Sequence, residues 1–212
     1  IETDTIIIST GASAKYLGIP SEERLKGGGV SACAVCDGFV YKGQDVAIVG
    51  GGDTAIEEAT YLAKICSNVT MLVRKDHFRA SKAMQNRLAN FNNINVLFNH
   101  EIEEVVGETV VEGLKIKNNL NEQVSDIKIT GLFIAIGHSP NTDIFKGSVE
   151  MDGSGYILTD KISTKTNIPA NLAKCFIFSK QLHFFIVFLG YIINNIPNNW
   201  GEILYNNLFI II

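Results

Sequence analysis

An α/β fold is predicted by three features in the middle of the chain. Residues 44–49 (Gln-Asp-Val-Ala-Ile-Val) read as a buried strand. That strand runs straight into the glycine-rich turn Gly50-Gly51-Gly52-Asp53-Thr54-Ala55. A helical pattern follows, with Ile56, Ala59, Leu62, Ala63 and Cys66 on one face and Glu57, Glu58 and Lys64 off it. Residues 69–73 (Val-Thr-Met-Leu-Val) then form a second strand.

Composition sets the outer bounds. The 212 residues leave room for one large domain or two small ones. Eighteen basic against 22 acidic residues leave a net charge of −4, no footprint for DNA or RNA. With 46% apolar and 19% charged residues, a packed core is attainable and wholesale disorder is excluded. Four scattered cysteines are too few for a disulfide-stapled secreted scaffold. No charged and apolar leader opens the sequence, and a cytoplasmic location is expected.

In chain order, residues 5–9 (Thr-Ile-Ile-Ile-Ser) come first and read as a buried strand closed by Thr10-Gly11-Ala12. A lone strand cannot bury both faces, so its partners are expected upstream of Ile1, which makes the chain a fragment. At the other end the composition shifts near residue 170. The apolar run from Phe184 to Ile193 covers about ten residues, short of the roughly 18 to 20 that cross a bilayer. A membrane anchor is therefore not expected. Residues 170–212 instead read as an aberrant hydrophobic tail, β-prone, poor in charge and an aggregation hazard.

Cys33-Ala34-Val35-Cys36-Asp37-Gly38 precedes the strand at residues 44–49. Two thiols at this spacing can close a disulfide across one helical turn, and a helix N-terminus lowers the pKa of the first. A structural zinc site wants four ligands. Cys66 lies on a core face, Cys175 in the tail, and the histidines are scattered, so no metal is expected. Asp37, beside the second thiol, is a candidate proton shuttle; a turn or capping residue is the alternative.

The strand–turn–helix–strand unit carries G-x-G-x-x-A at its first turn, the pattern of a Rossmann-like dinucleotide site. Gly50 permits the tight turn, Gly52 lets backbone approach a pyrophosphate, and Ala55 lets helix and strand pack closely. The helix N-terminus offers N–H groups and partial positive charge to phosphates. An NAD site wants an acid at the end of the second strand. Arg74 and Lys75 stand there instead, with Arg79 close behind, which favours a 2′-phosphate and hence NADPH.

Residues 94–111 and 113–129 alternate in places, at Leu114 and Ile116 and at Ile127 and Ile129, as an antiparallel meander would. His138 is read as a loop residue after a strand, and His77 and His100 as solvated loop positions.

The Cys33–Gly38 box resembles the redox centre of bacterial-type, low-molecular-weight thioredoxin reductases. Residues 9–20 (Ser-Thr-Gly-Ala-Ser-Ala-Lys-Tyr-Leu-Gly-Ile-Pro), the turn and helix start at residues 50–59, and Ala135-Ile136-Gly137-His138-Ser139-Pro140-Asn141-Thr142 agree in order and spacing. The resemblance covers residues 1–169. It implies a Rossmann-like NADPH domain, residues 15–135, inserted in remnants of a second, FAD-binding Rossmann-like domain, residues 1–14 and 136–169. It implies electron flow from NADPH through FAD and a Cys33–Cys36 disulfide to thioredoxin, with rotation about linkers near Ala14 and Ile136. Cys36 matches the cysteine that faces the flavin, Cys33 the one that attacks thioredoxin, and Asp37 the acid that protonates the leaving thiolate. For NADPH the matching positions are Gly50, Gly51, Gly52, Asp53, Thr54, Ala55, Arg74, Lys75, Arg79 and Ile136; for FAD they are Thr10, Gly11 and Gly137. The family's basic cluster begins with His and two Arg, where this chain has Val73, Arg74 and Lys75.

The resemblance has gaps. The family's N-terminal FAD fingerprint and the flavin motif that should follow residues 164–169 are not found. The chain alone is therefore expected to bind NADPH weakly and to leave the electron path incomplete, a nucleotide-binding fragment. The family homodimer surface lies largely in the FAD domain, so the dimer is expected to be lost here. The flavoprotein subunit of an alkyl hydroperoxide reductase shares the same motifs and is the enzyme alternative. Ferredoxin–NADP reductase relatives lack the cysteine pair.

Overall fold

The computed structural model describes residues 5–160, 163–168, 172–173 and 208–211. Its strands run β1 (Thr5–Ile8), β2 (Ala12–Ala14), β3 (Val30–Ser31), β4 (Asp45–Val49), β5 (Asn68–Val73), β6 (Ile94–Phe98), β7 (His100–Val106), β8 (Gly113–Asn118), β9 (Val124–Ile127), β10 (Gly131–Ile134), β11 (His138–Pro140), β12 (Leu172–Ala173) and β13 (Leu208–Ile211). The helices are α1 (Pro20–Arg24), α2 (Ala34–Asp37), α3 (Asp53–Leu62) and α4 (Lys82–Leu88), with 3-10 turns at Gly38–Tyr41 and Asp143–Phe145. The chain divides into two units, Ile1–Ser13 with His138–Ile212, and Ala14–Gly137.

In the Ala14–Gly137 unit, a five-stranded parallel sheet runs in the order β3-β10-β4-β5-β6. Alternation along its strands sorts side chains to two faces, as the period of two dictates. Val46, Ile48, Val69, Met71 and Phe133 join α3 residues Ala55, Ile56, Ala59 and Leu62 in one core. Ala47, Leu72, Leu132 and Ile134 face the other way, onto Ile102, Val105, Leu114 and Ile116. Those last four belong to the antiparallel meander β7-β8-β9. The unit is thus three layers: helices, parallel sheet, meander.

The structure corrects several sequence expectations. Residues 94–98 are not meander: β6 pairs in parallel with β5 from Val69↔Ile94 to Val73↔Phe98. The break falls at Asn99, whose φ of 58° turns the chain between β6 and β7. Glu58 is not on a solvated face; it is buried. The helix α3 buries Ala55, Ile56, Glu58, Ala59, Thr60 and Leu62, so more than one stripe of its surface is covered. His138 lies in β11 rather than a loop.

In the other unit, β1 pairs in parallel with β12 and β13, both downstream in sequence rather than upstream of Ile1. Backbone pairing requires only an open strand edge, which a downstream segment satisfies as well as an upstream one. Ile8, Val149 and Ile157 form a small core. Asn141 ties two of the matched motifs together: its side-chain amide donates to the Thr10 carbonyl at 3.0 Å, its backbone N–H donates to the Gly11 carbonyl at 3.0 Å, and it accepts from Ser13 Oγ at 2.9 Å. Of the tail from residue 170, only residues 172–173 and 208–211 fall among the described residues. Among the described residues no helix is long and apolar enough to cross a membrane.

Candidate active site

A cavity of about 600 Å³ opens where β4, β5 and β10 end. Val49 ends β4 and Gly50 and Gly51 follow it, Leu72 and Val73 end β5 and Arg74 and Lys75 follow it, and Ala135 and Ile136 follow β10. This is the crevice at the carboxyl ends of parallel strands where open α/β sheets bind ligands. Gly50 is required there. Its φ is +146°, and a Cβ would stand 2.3 Å from the Ala135 carbonyl oxygen and 2.9 Å from Ala55 Cβ. Gly52 is the N-cap of α3, and no side chain caps it.

Of the residues expected at the nucleotide, Gly50, Gly51, Arg74, Lys75, Arg79 and Ile136 line the cavity. Gly52, Asp53, Thr54 and Ala55 do not; Ala55 is fully buried behind the turn. Arg79 nonetheless reaches the turn, its Nη2 lying 4.0 Å from where a Gly52 Cβ would stand.

The cavity also holds residues the sequence did not assign to it, among them two histidines expected as solvated loop positions, an expectation that His100 corrects. His77 and His100 both line it. His77 is exposed, but His100 is half-buried at the start of β7, its Nδ1 2.7 Å from the Phe98 carbonyl. Glu101 lines it as well, 3.6 Å from Arg74 Nε. Leu17 and Ile19 form an apolar wall, held by Glu22. The Glu22 carboxylate, 1% exposed, accepts the N–H groups of Leu17 and Gly18 at 2.9 and 2.8 Å. No periodic signal marks such a contact, because it depends on a loop folding back onto the first turn of α1.

The cysteine pair follows the edge strand of the same unit. Val30 and Ser31 of β3 pair with Leu132 and Phe133 of β10, and the chain then turns into α2. Cys33 and Cys36 form a disulfide, with Cα atoms 5.3 Å apart. Cys33 is the N-cap of α2, and its Sγ accepts the Cys36 N–H at 3.2 Å. Ala34 is buried in the helix-side core and anchors the turn. Cys33 is half-buried and Cys36 exposed. Asp37 closes α2, and its Oδ2 accepts from Ser31 Oγ, which in turn accepts the Cys33 N–H at 3.0 Å. Val35, Phe39 and Val40 stand 50%, 68% and 73% exposed beside the disulfide.

The third described thiol has a different setting. Cys66 is buried, and burial, with a smaller contribution from the Asp45 charge, pushes its pKa up to about 11. It is a core residue with little thiolate at neutral pH. Among the described residues no three His, Cys, Asp or Glu side chains are grouped to hold a metal ion. Thr10 and Gly11 lie between β1 and β2; Gly137 ends the second unit and accepts the Lys15 N–H at 2.9 Å.

A parallel nucleotide-type sheet carrying a redox disulfide defines a class of protein. Residues 1–170 match the family model of the pyridine nucleotide-disulphide oxidoreductases, and the chain belongs to that family. More narrowly, it is similar to bacterial thioredoxin reductases. It is 48% identical to that of Streptomyces coelicolor over 163 residues, covering 77% of this chain and 51% of the relative. Against that of Escherichia coli O157:H7 it is 48% identical over 179 residues, covering 80% and 56%. Among solved structures, thioredoxin reductase from Lactococcus lactis superposes with a TM-score of 0.71 at 36% identity, covering 79% of this chain and 55% of that one. The enzyme from T. acidophilum gives 0.73 at 31% identity, covering 83% and 58%. The chain thus spans about half the length of the curated relatives it matches.

Proposed function

We propose that this chain carries the nucleotide-binding and thiol-exchange part of an NADPH-dependent thioredoxin reductase. The observation that carries this reading is the Cys33–Cys36 disulfide on the same unit as the strand-end cavity. When bound, NADPH supplies two electrons as a hydride and FAD relays them to the disulfide. The chain's own residues bind, orient and exchange.

For NADPH, the glycine turn and the uncapped start of α3 suit a pyrophosphate. Arg74, Lys75 and Arg79 suit a 2′-phosphate, and Ile136, Leu17 and Ile19 supply apolar wall. Thr10, Gly11 and Gly137 are assigned to FAD. Thr10 supports this with an Oγ1 that is buried and has no hydrogen-bond partner among the described residues.

The exchange chemistry follows from the two cysteines. In the dithiol, the Cys36 N–H that now points at Cys33 Sγ favours the Cys33 thiolate. That thiolate attacks one sulfur of the thioredoxin disulfide, forming a mixed disulfide and expelling the other sulfur, which takes a proton from Asp37. The Cys36 thiol gives its proton to the Asp37 carboxylate, which passes it on to the second thioredoxin sulfur as that sulfur leaves, and the Cys36 thiolate attacks Cys33 Sγ. This re-forms the Cys33–Cys36 bond and releases thioredoxin as a dithiol, two electrons having moved across. Val35, Phe39 and Val40 offer an apolar surface beside the reacting sulfurs for the incoming protein.

The test is trapping. Reduced Cys36→Ser chain is mixed with oxidised thioredoxin and analysed by non-reducing mass spectrometry. A mixed disulfide through Cys33, absent from Cys33→Ser, supports the reading. Trapping by Cys33→Ser alone reverses the two roles, and no adduct with either variant refutes the partner.

A further inference from the structure

We propose that Asp53 is a positioning residue that latches the cation-bearing loop onto the glycine turn and so sets the preference for a 2′-phosphorylated nucleotide. This rests on the NADPH reading above and deepens it.

An acid at the first position of α3 is at odds with the turn's task. The helix start would receive a pyrophosphate, and a carboxylate beside it repels one. The structure resolves the conflict by direction. Asp53 does not line the cavity; its Oδ1 accepts the Ser81 N–H at 2.7 Å. Next to it, the Gly51 carbonyl accepts the N–H groups of Arg79 at 2.7 Å and of Ala80 at 3.0 Å. Three consecutive backbone donors, at 79, 80 and 81, are thus held by two acceptors on the turn.

The geometry has two consequences. The first is at Arg79. Its backbone is pinned to Gly51, and its guanidinium lies over Gly52, within the cavity lining. A long cation at the end of a free loop costs rotamer and backbone entropy to place on a ligand; a pinned one costs less. The second is at Ser81, the N-cap of α4, whose Oγ accepts the Met84 N–H at 3.4 Å. Asp53 therefore joins the first turn of α3 to the start of α4, and the segment from Arg74 to Arg79 is fixed at both ends, by β5 and by this latch.

Charge and latch predict opposite signs. If Asp53 acted only as a charge, removing it would tighten every phosphate ligand. As a latch, its removal weakens only ligands that use the cationic loop. The 212-residue chain is titrated calorimetrically with 2′,5′-ADP and with 5′-AMP. The wild type is expected to prefer 2′,5′-ADP. Asp53→Ala is expected to lose about tenfold for 2′,5′-ADP, the scale of one charge-assisted hydrogen bond, and nothing for 5′-AMP. Asp53→Asn keeps an oxygen acceptor and is expected to retain the preference. Amide exchange at residues 79–81 should accelerate in Asp53→Ala while the rest of the unit stays protected, which separates a loosened loop from an unfolded chain. If Asp53→Ala does not hold the fold, Asp53→Glu, which displaces the acceptor but keeps the charge, carries the same expected loss. Tighter or unchanged 2′,5′-ADP binding, or equal losses for both ligands, overturns the latch while leaving the NADPH reading intact. A wild type without preference for 2′,5′-ADP overturns the NADPH reading, and the latch with it.

Discussion

Ser31 and Asp37 are joined by a hydrogen bond across the redox turn, the serine hydroxyl donating to Asp37 Oδ2. Ser31 Oγ also accepts the Cys33 N–H, so one small side chain orients both the candidate acid and the candidate nucleophile. Ser31 is itself held by the pairing of β3 with β10, opposite Phe133.

Replacing Ser31 by Ala should therefore leave the Cys33 N–H unpaired and the Asp37 carboxylate loose. Mixed-disulfide formation by reduced S31A/C36S should slow several-fold relative to C36S. Stability should fall by about 1 kcal/mol, the worth of one such bond. Ser31→Thr keeps the hydroxyl and should restore both. An unchanged rate in S31A/C36S would remove Ser31 from the mechanism.

Cys66 should behave unlike the redox pair. In native, reduced chain at pH 8.5, peptide-mapped alkylation should label Cys33 and Cys36 and spare Cys66 until denaturant is added. Burial pushes its native pKa up to about 11, above that of an ordinary thiol. Where the native thiol holds its proton and the unfolded one does not, unfolding releases a proton, so stability falls as pH rises. The contribution is complete below pH 9 and is lost between pH 9 and 11. Chemical unfolding of wild type and Cys66→Ala at pH 8 and 10 checks the sign: the wild type should lose more over that interval.

Glu101 competes for Arg74. The pair is solvent-exposed at 3.6 Å, so its worth is at most about 1 kcal/mol. Glu101→Gln should free the guanidinium and remove a like charge from the cavity, tightening NADP⁺ by about two- to fivefold at low salt. In 0.5 M salt the gain should vanish, because exposed charges are then screened. A gain that persists at high salt would point to reshaping of the cavity instead.

Phe133 tests the core on which both sites stand. It is fully buried, with the Tyr41 ring edge-on at 5.6 Å and 88°. Phe133→Ala should cost about 3–5 kcal/mol in chemical unfolding. It also lies opposite Ser31 in the sheet, so nearby redox chemistry should suffer in proportion to the unfolded fraction and no more.

Much of this protein is local in character, and that part was readable from residues alone. The strand, turn and helix from residue 44 to 62, the cysteine turn and the cations after β5 depend on neighbours in sequence: glycine at a tight turn, apolar alternation, two thiols three apart. The boundary at Asn99 was less legible, since β6 and β7 share one β-prone stretch and only pairing partners separate them. Glu58 was misplaced because amphipathicity assumes one covered stripe, and α3 is covered on more.

Sequence by itself determined the kind of chemistry: a redox thiol pair, a phosphate-suited turn and a cationic segment after the second strand. Tertiary structure alone decided which groups meet. It brought Ser31 to Asp37, Glu22 to the wall at Leu17 and Gly18, Glu101 and His100 into the cavity, and Asp53 onto Ser81 rather than toward a ligand. The physical reason is range. Backbone propensity and side-chain periodicity act over a few residues, whereas these contacts are made where loops and strand ends fold back, and in Asp53 and Ser81 the partners stand 28 residues apart.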